Sequence, residues 1–202
     1  VKAFLVAVST DYVFDGSSRR PYREEDPPSP VNVYGRAKWE GECFALKECE
    51  RCLVVRVSGL FGSARPNFVS QAVRRFTAGE PVQAVTDQVN SPSYTADLAE
   101  AMNRIVEWMP QKSLCGILHL ANSGSATRLE VAERIARFLH VEESLIRPTS
   151  WAALDRPARR PAYTALDCAR YAERTGGASL RSWPEALSAF LQAEALDSRP
   201  VS

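Results

Sequence analysis

Three short runs constrain this chain most: Lys2–Val8, Leu53–Val57 and Gly116–Leu120 are apolar at nearly every position, without the in-out alternation of a half-wetted strand. Runs of this kind are buried on both faces and belong to a parallel sheet covered by helices. Helices are read in the intervals, over 31–47 from good helix formers, over 66–77 and 127–139 from apolar residues at helical spacing, from Tyr94 or Thr95 to about Met109 and over 184–195, and a further short strand is read at 81–85. The expected class is α/β.

In open parallel sheets, ligands bind beyond the carboxyl ends of the strands. The first run ends in Ser9-Thr10, which places Thr10, Asp11 and Tyr12 where chemistry occurs. After a proline-rich loop over 15–30, the next helix has Asn32 as its cap, Tyr34 in its first turn and Lys38 four residues on, so the last two share a face. A cation beside a phenol favours the phenolate and lets a tyrosine exchange a proton with a substrate oxygen near neutral pH. Taken singly, Tyr-x-x-x-Lys also fits a solvated helix face, and Thr10 a turn-forming hydroxyl.

Several function classes are excluded early. A length of 202 residues fits one domain, or part of a larger one, and 25 basic against 24 acidic residues give no footprint for nucleic acid or an anionic membrane. No run approaches the ~20 apolar residues that span a bilayer, and 1–9 does not read as a signal peptide, so a soluble cytoplasmic protein is expected. Five scattered cysteines suit a reducing compartment, and Cys49-x-x-Cys52 lacks a second pair for zinc, so no metal is expected. His119 and His140 read as structural. The helices over 66–77 and 127–139 present packing faces. Residues 146–167 are rich in proline and arginine, including Arg156-Pro157-Ala158-Arg159-Arg160-Pro161.

The segments STDYVFDG (9–16), PYREEDPPSP (21–30) and VNVYGRAKWEGE (31–42), followed by Asp-Gln-x-x-x-Pro at 87–92, resemble in order the extended short-chain dehydrogenase/reductases, and most closely the dTDP-4-dehydrorhamnose reductase family with its RmlD-like substrate-binding domain. The resemblance implies the carboxyl-terminal portion of a Rossmann-type parallel sheet with a small α/β substrate-binding subdomain. It divides the chain into 1–62, the later half of the Rossmann domain, and 63–202, mostly substrate-binding with later sheet elements interleaved. It implies oxidoreduction with NADPH or NADH of a nucleotide-linked 4-keto-6-deoxy sugar, as in dTDP-rhamnose biosynthesis. Tyr34 is then the general acid at the C4 oxygen, Lys38 assists it and meets the cofactor ribose, and Thr10 orients the carbonyl. Asp11 and Tyr12 contact the sugar, residues 58–62 lie beside the nicotinamide, and Arg159 or Arg160 meets the diphosphate.

Two departures stand out. Gly59 occupies the place of a tryptophan that walls the sugar in the rhamnose-forming reductases, which implies a different or larger sugar. No strand, glycine-rich turn and helix of the dinucleotide-binding kind is present in the sequence. The expectation is a fragment lacking about the first third of the family's fold, inactive alone, unless another chain supplies the rest. Two alternatives stay open: a regulatory subunit similar to the methionine adenosyltransferase beta subunit, which binds a partner enzyme, and a sugar-nucleotide epimerase using the same dyad. The short polar end over 195–202 disfavours docking through an apolar tail. Macromolecular partners are otherwise limited to a homodimer.

Overall fold

The computed structural model describes residues 3–112, 114–176 and 179–197. In chain order the elements are β1 (Leu5–Thr10), α1 (Val33–Glu48), β2 (Cys52–Val57), β3 (Leu60–Phe61), α2 (Phe68–Thr77), β4 (Val82–Val85), β5 (Val89–Asn90), β6 (Ser93–Tyr94), α3 (Thr95–Lys112), β7 (Gly116–His119), β8 (Ala126–Thr127), α4 (Arg128–Leu139), β9 (Ile146–Thr149), α5 (Ala169–Thr175) and α6 (Trp183–Asp197), with short 3-10 turns between some of them. The main sheet has the order β1-β2-β7 and is parallel throughout, with Leu53 opposite Leu5's neighbour Val6 on one side and Gly116 on the other.

β2 is the strand buried on both faces that its sequence predicts. The first strand differs from expectation. It begins at Leu5, ends at Thr10, and leaves Leu5 and Val8 40% and 51% exposed, because among the described strands only β2 pairs with it. One core packs α3 against the sheet through Leu53, Val55, Ile105, Met109 and Leu118. A second joins α2, α4 and α6 through Phe76, Ile135, Leu187 and Phe190.

α1 is held differently. Its buried residues are Gly35 and Glu42, and Glu42 accepts a two-pronged hydrogen bond from Arg56 of β2, at 3.0 and 3.2 Å from Nε and 2.7 Å from Nη2. A cation–π contact seats the guanidinium 5.1 Å from the Phe14 ring, which stacks on Tyr22.

Six elements escape the sequence reading: the two-residue strands β3, β5, β6 and β8, together with β9 and α5. β9 lies in the segment read only as proline- and arginine-rich, and pairs in parallel with β4, Pro148 facing Ala84. α5 has seven residues and no side-chain cap. The loop over 15–30 is not simply solvated either, since Glu24 is buried and accepts from the His119 backbone N–H at 2.9 Å. The segment 198–202, on which the reading of a short polar tail partly rests, lies outside the described residues.

Candidate functional site

β1 delivers Thr10 at its carboxyl end, where the threonine caps a 3-10 turn over Asp11–Val13 and accepts from the Tyr12 N–H at 3.2 Å. α1 then brings Tyr34 to the same place. The Asn32 side chain caps this helix by accepting from Gly35 N–H at 2.8 Å, and a Cβ on Gly35 would lie 2.1 Å from the Tyr12 carbonyl oxygen. Only glycine lets the first turn approach so closely. Tyr12 and Tyr34 consequently meet edge to face, 6.1 Å between centroids. Tyr34 is 56% exposed.

Lys38 lies one turn along α1 and donates from Nζ to the Val8 carbonyl of β1 at 2.7 Å. An ammonium has three hydrogens, so this bond leaves two for a ligand. Thr10, Tyr12, Tyr34 and Gly59 share the lining of a cleft of about 340 Å³ with Asn90 and Arg128. Gly59 has φ +55°, and a Cβ there would lie 2.6 Å from the Ser91 carbonyl oxygen. The loop is thus built around a missing side chain, and a bulkier residue needs a different backbone here.

Asp11 is 3% exposed, and its carboxylate accepts from Thr10 Oγ1 at 3.1 Å, Ser58 Oγ at 2.9 Å and Thr164 Oγ1 at 2.5 Å. Burial raises its pKa to about 6, against the opposing pull of those hydroxyls. Burial likewise pushes the Tyr12 phenol up, with Arg160 acting against it. The two arginines singled out from sequence line one hollow with Tyr12 and Tyr34, and Arg160 lies 5.9 Å over Tyr12 and 4.3 Å over Trp151. Arg159 contributes its carbonyl to the Asn32 amide. Arg160, Arg128 and Arg156 line one hollow beside Trp151. Burial, with Arg160 next, pulls the Arg128 pKa down. Sequence reasoning missed Arg128 and Thr164, and it placed Ser58 in the loop expected beside the nicotinamide without foreseeing its bond to Asp11.

Among the described residues no group of three or more His, Cys, Asp or Glu could hold a metal ion, and no helix is long and apolar enough to cross a membrane. His119 is fully buried, and burial followed by the Arg56 charge lowers its pKa to about 3.

Asp11 and His119 oppose each other in pH dependence. Between about pH 4 and about pH 6 folded Asp11 keeps a proton that the unfolded chain releases, so its contribution to stability falls as pH rises, by about 1.4 kcal/mol per unit. Between about pH 3 and about pH 6.5 unfolded His119 binds a proton that the folded protein refuses, so its contribution rises with pH by about the same amount. The two slopes offset where the windows overlap. Asp11→Asn should therefore make the stability-against-pH curve steeper by about 1.4 kcal/mol per unit between about pH 4.5 and about pH 5.5. Urea unfolding of both proteins across that window measures it, and parallel curves would refute a protonated Asp11.

The RmlD substrate binding domain family matches residues 1–196. A probable dTDP-4,6-dihydroxy-2-methyloxan-3-one 4-ketoreductase of Streptomyces antibioticus is 40% identical over 183 residues, covering 91% of this chain and 61% of that protein. A dTDP-4-dehydrorhamnose reductase of Streptomyces griseus is 38% identical over 190 residues, covering 93% and 62%. The chain thus spans about three-fifths of the length of these curated relatives. A crystal structure of the dTDP-4-dehydrorhamnose reductase of Bacillus anthracis, in complex with NADP, superposes with a TM-score of 0.86 at 33% identity, over 95% of this chain and 66% of that one.

Proposed function

Since the chain belongs to the RmlD substrate binding domain family, we propose that it is the substrate-binding and proton-donating part of an NADPH- or NADH-dependent reductase of nucleotide-linked 4-keto-6-deoxy sugars. The observation that carries this reading is the convergence of Thr10, Tyr12 and Tyr34 on one cleft, with Arg160 at its margin. The relatives named for dTDP-4-keto-sugar reduction, and the NADP in one of their structures, support the choice of chemistry.

The residues fit the nicotinamide end of such a cofactor. Lys38, with two free ammonium hydrogens beside the open side of β1, has the donors that ribose hydroxyls need. A bound reduced nicotinamide supplies the hydride. Tyr34 gives its phenolic proton to the sugar's C4 oxygen as that oxygen gains charge. Lys38 on the same face stabilises the phenolate left behind. Thr10 faces the carbonyl from the strand end, and Tyr12, held at right angles to Tyr34, forms an apolar wall. Gly59 lines the cleft, and its missing Cβ lets its loop pass directly against the Ser91 carbonyl. Asp11, nearly out of solvent, acts on the sugar through the hydroxyls it holds.

At the far end, Arg160, Arg128 and Arg156 form a cationic hollow for the diphosphate. Calorimetric titration of the 202-residue chain with dTDP tests this. Binding should weaken about tenfold, or about 1.4 kcal/mol, in Arg160→Ala. No binding to the unsubstituted chain, or affinity indifferent to Arg160, would overturn the reading.

A further inference from the structure

The hydrogen bonds around Asp11 are unequally divided between its two oxygens. Oδ2 accepts from both Ser58 and Thr164, whereas among the described side chains only Thr10 donates to Oδ1. All three donors are neutral hydroxyls, and the carboxyl group is buried. In the ionised form, therefore, the Thr10 hydroxyl hydrogen points inward at Oδ1. Thr10 Oγ1 also accepts from the Tyr12 N–H, so the same hydroxyl is fixed by two bonds and presents no hydrogen to the cleft.

A neutral Asp11 changes this. A carboxylic acid has one donor oxygen and one acceptor oxygen. Oδ2 already receives two hydrogens, so the added proton belongs on Oδ1, where its partner is Thr10 Oγ1. That oxygen then accepts from Asp11, and its own hydrogen is released to turn toward the cleft. We infer that Asp11 is a positioning residue that aims the Thr10 hydroxyl: neutral Asp11 turns the Thr10 hydrogen toward the sugar carbonyl, and ionised Asp11 draws it inward. The inference rests on the proposed reading of Thr10 as the group that faces that carbonyl. No bond beyond the Asp11 O–H is made or broken, and the proton comes from solvent.

The surroundings isolate this event. The titratable and charged groups facing the turn are Tyr12 on the turn itself, Tyr34 from α1, Arg128 from α4 and Arg160 from the segment after β9. The arginines keep their charge throughout, and burial keeps the Tyr12 phenol neutral. His119, on β7, titrates far below the range at issue. Asp11 itself, raised to about 6 by burial, changes charge within it.

The test compares two ligands by calorimetry on the same chain at about pH 5 and about pH 7.5: dTDP, which has no carbonyl, and dTDP-4-keto-6-deoxyglucose, which has one. The affinity ratio of keto sugar to dTDP should fall about five- to tenfold between the two pH values, the value of one directed hydrogen bond. In Asp11→Asn the amide nitrogen donates toward Thr10 at every pH and the amide oxygen still accepts from Ser58 and Thr164. The ratio should therefore stay at its low-pH value throughout. Amide and methyl NMR shifts of Thr10, Tyr12 and Thr164 should follow one midpoint near 6 in the unsubstituted chain and be flat in Asp11→Asn. A ratio that does not change with pH while dTDP still binds, or NMR shifts that titrate alike in both proteins, would overturn the inference. Failure of dTDP itself to bind would instead strike the proposed function, leaving the NMR midpoint to decide the role of Asp11.

Discussion

Glu42→Ala should cost this fold about 3–5 kcal/mol, the usual penalty for stranding one member of a buried ion pair. Arg56 is 1% exposed and Glu42 4%, and all the carboxylate's hydrogen bonds in this pair go to one guanidinium. Without Glu42 the cation keeps its charge, its seat against Phe14 and no counter-ion, while Nη1 already lacks a hydrogen-bond partner among the described residues. Domains of this size are stable by only about 5–15 kcal/mol, so the loss takes a large share of the total. The pair itself is not required for stability. Glu42→Met with Arg56→Met removes both charges and fills similar volume, and should recover most of the loss. Urea unfolding followed by circular dichroism gives the three midpoints. A single substitution costing under about 1 kcal/mol would show that α1 is held by something else. The position matters beyond stability, since this pair ties the helix carrying Tyr34 and Lys38 to the central strand.

What could be read in advance follows from how local each signal is. Asn32 as a cap and Tyr34 in the first turn come from neighbouring residues, and the helix forms as they dictate. β2 is legible because burial on both faces leaves an unbroken apolar run. β1 carries a similar run yet lies at an edge among the described strands, and no pattern within it records how many neighbours it has. β9 buries only Ile146, so it has no periodicity to detect, and a proline is tolerated there because an edge strand needs fewer donors.

The site divides in the same way. Thr10, Tyr12, Tyr34 and Lys38 sit in contiguous stretches whose order carries the family resemblance. Asp11 reads from sequence as a residue that contacts the sugar, and nothing nearby tells that its carboxyl group is buried. Its partners Ser58 and Thr164 are 47 and 153 residues away, and only the fold brings them to it. Arg128 is equally silent, being the first residue of an amphipathic helix whose polar face happens to overlook the cleft.

Tyr34→Phe should lower the turnover of a 4-keto sugar by about 10²- to 10⁴-fold when the chain is joined to a dinucleotide-binding segment, the range in which a positioned acid contributes to proton transfer. The substitution keeps the ring that packs edge to face against Tyr12, and Tyr34 is an exposed residue, so the fold and the affinity for dTDP should not change. An acid that acts as charge develops on the C4 oxygen is used in the transition state, so kcat and kcat/KM should fall together. Lys38→Met should reduce turnover through the same step, and the double substitution should be little worse than Tyr34→Phe alone, because without the phenol the ammonium has no phenolate to stabilise. Its bond to Val8 gives a second, structural consequence, a loosened contact between α1 and β1, visible as lower stability in Lys38→Met and absent in Tyr34→Phe. Turnover retained in Tyr34→Phe would remove the general acid from this mechanism, and multiplicative losses in the double substitution would mean that Tyr34 and Lys38 act on separate steps.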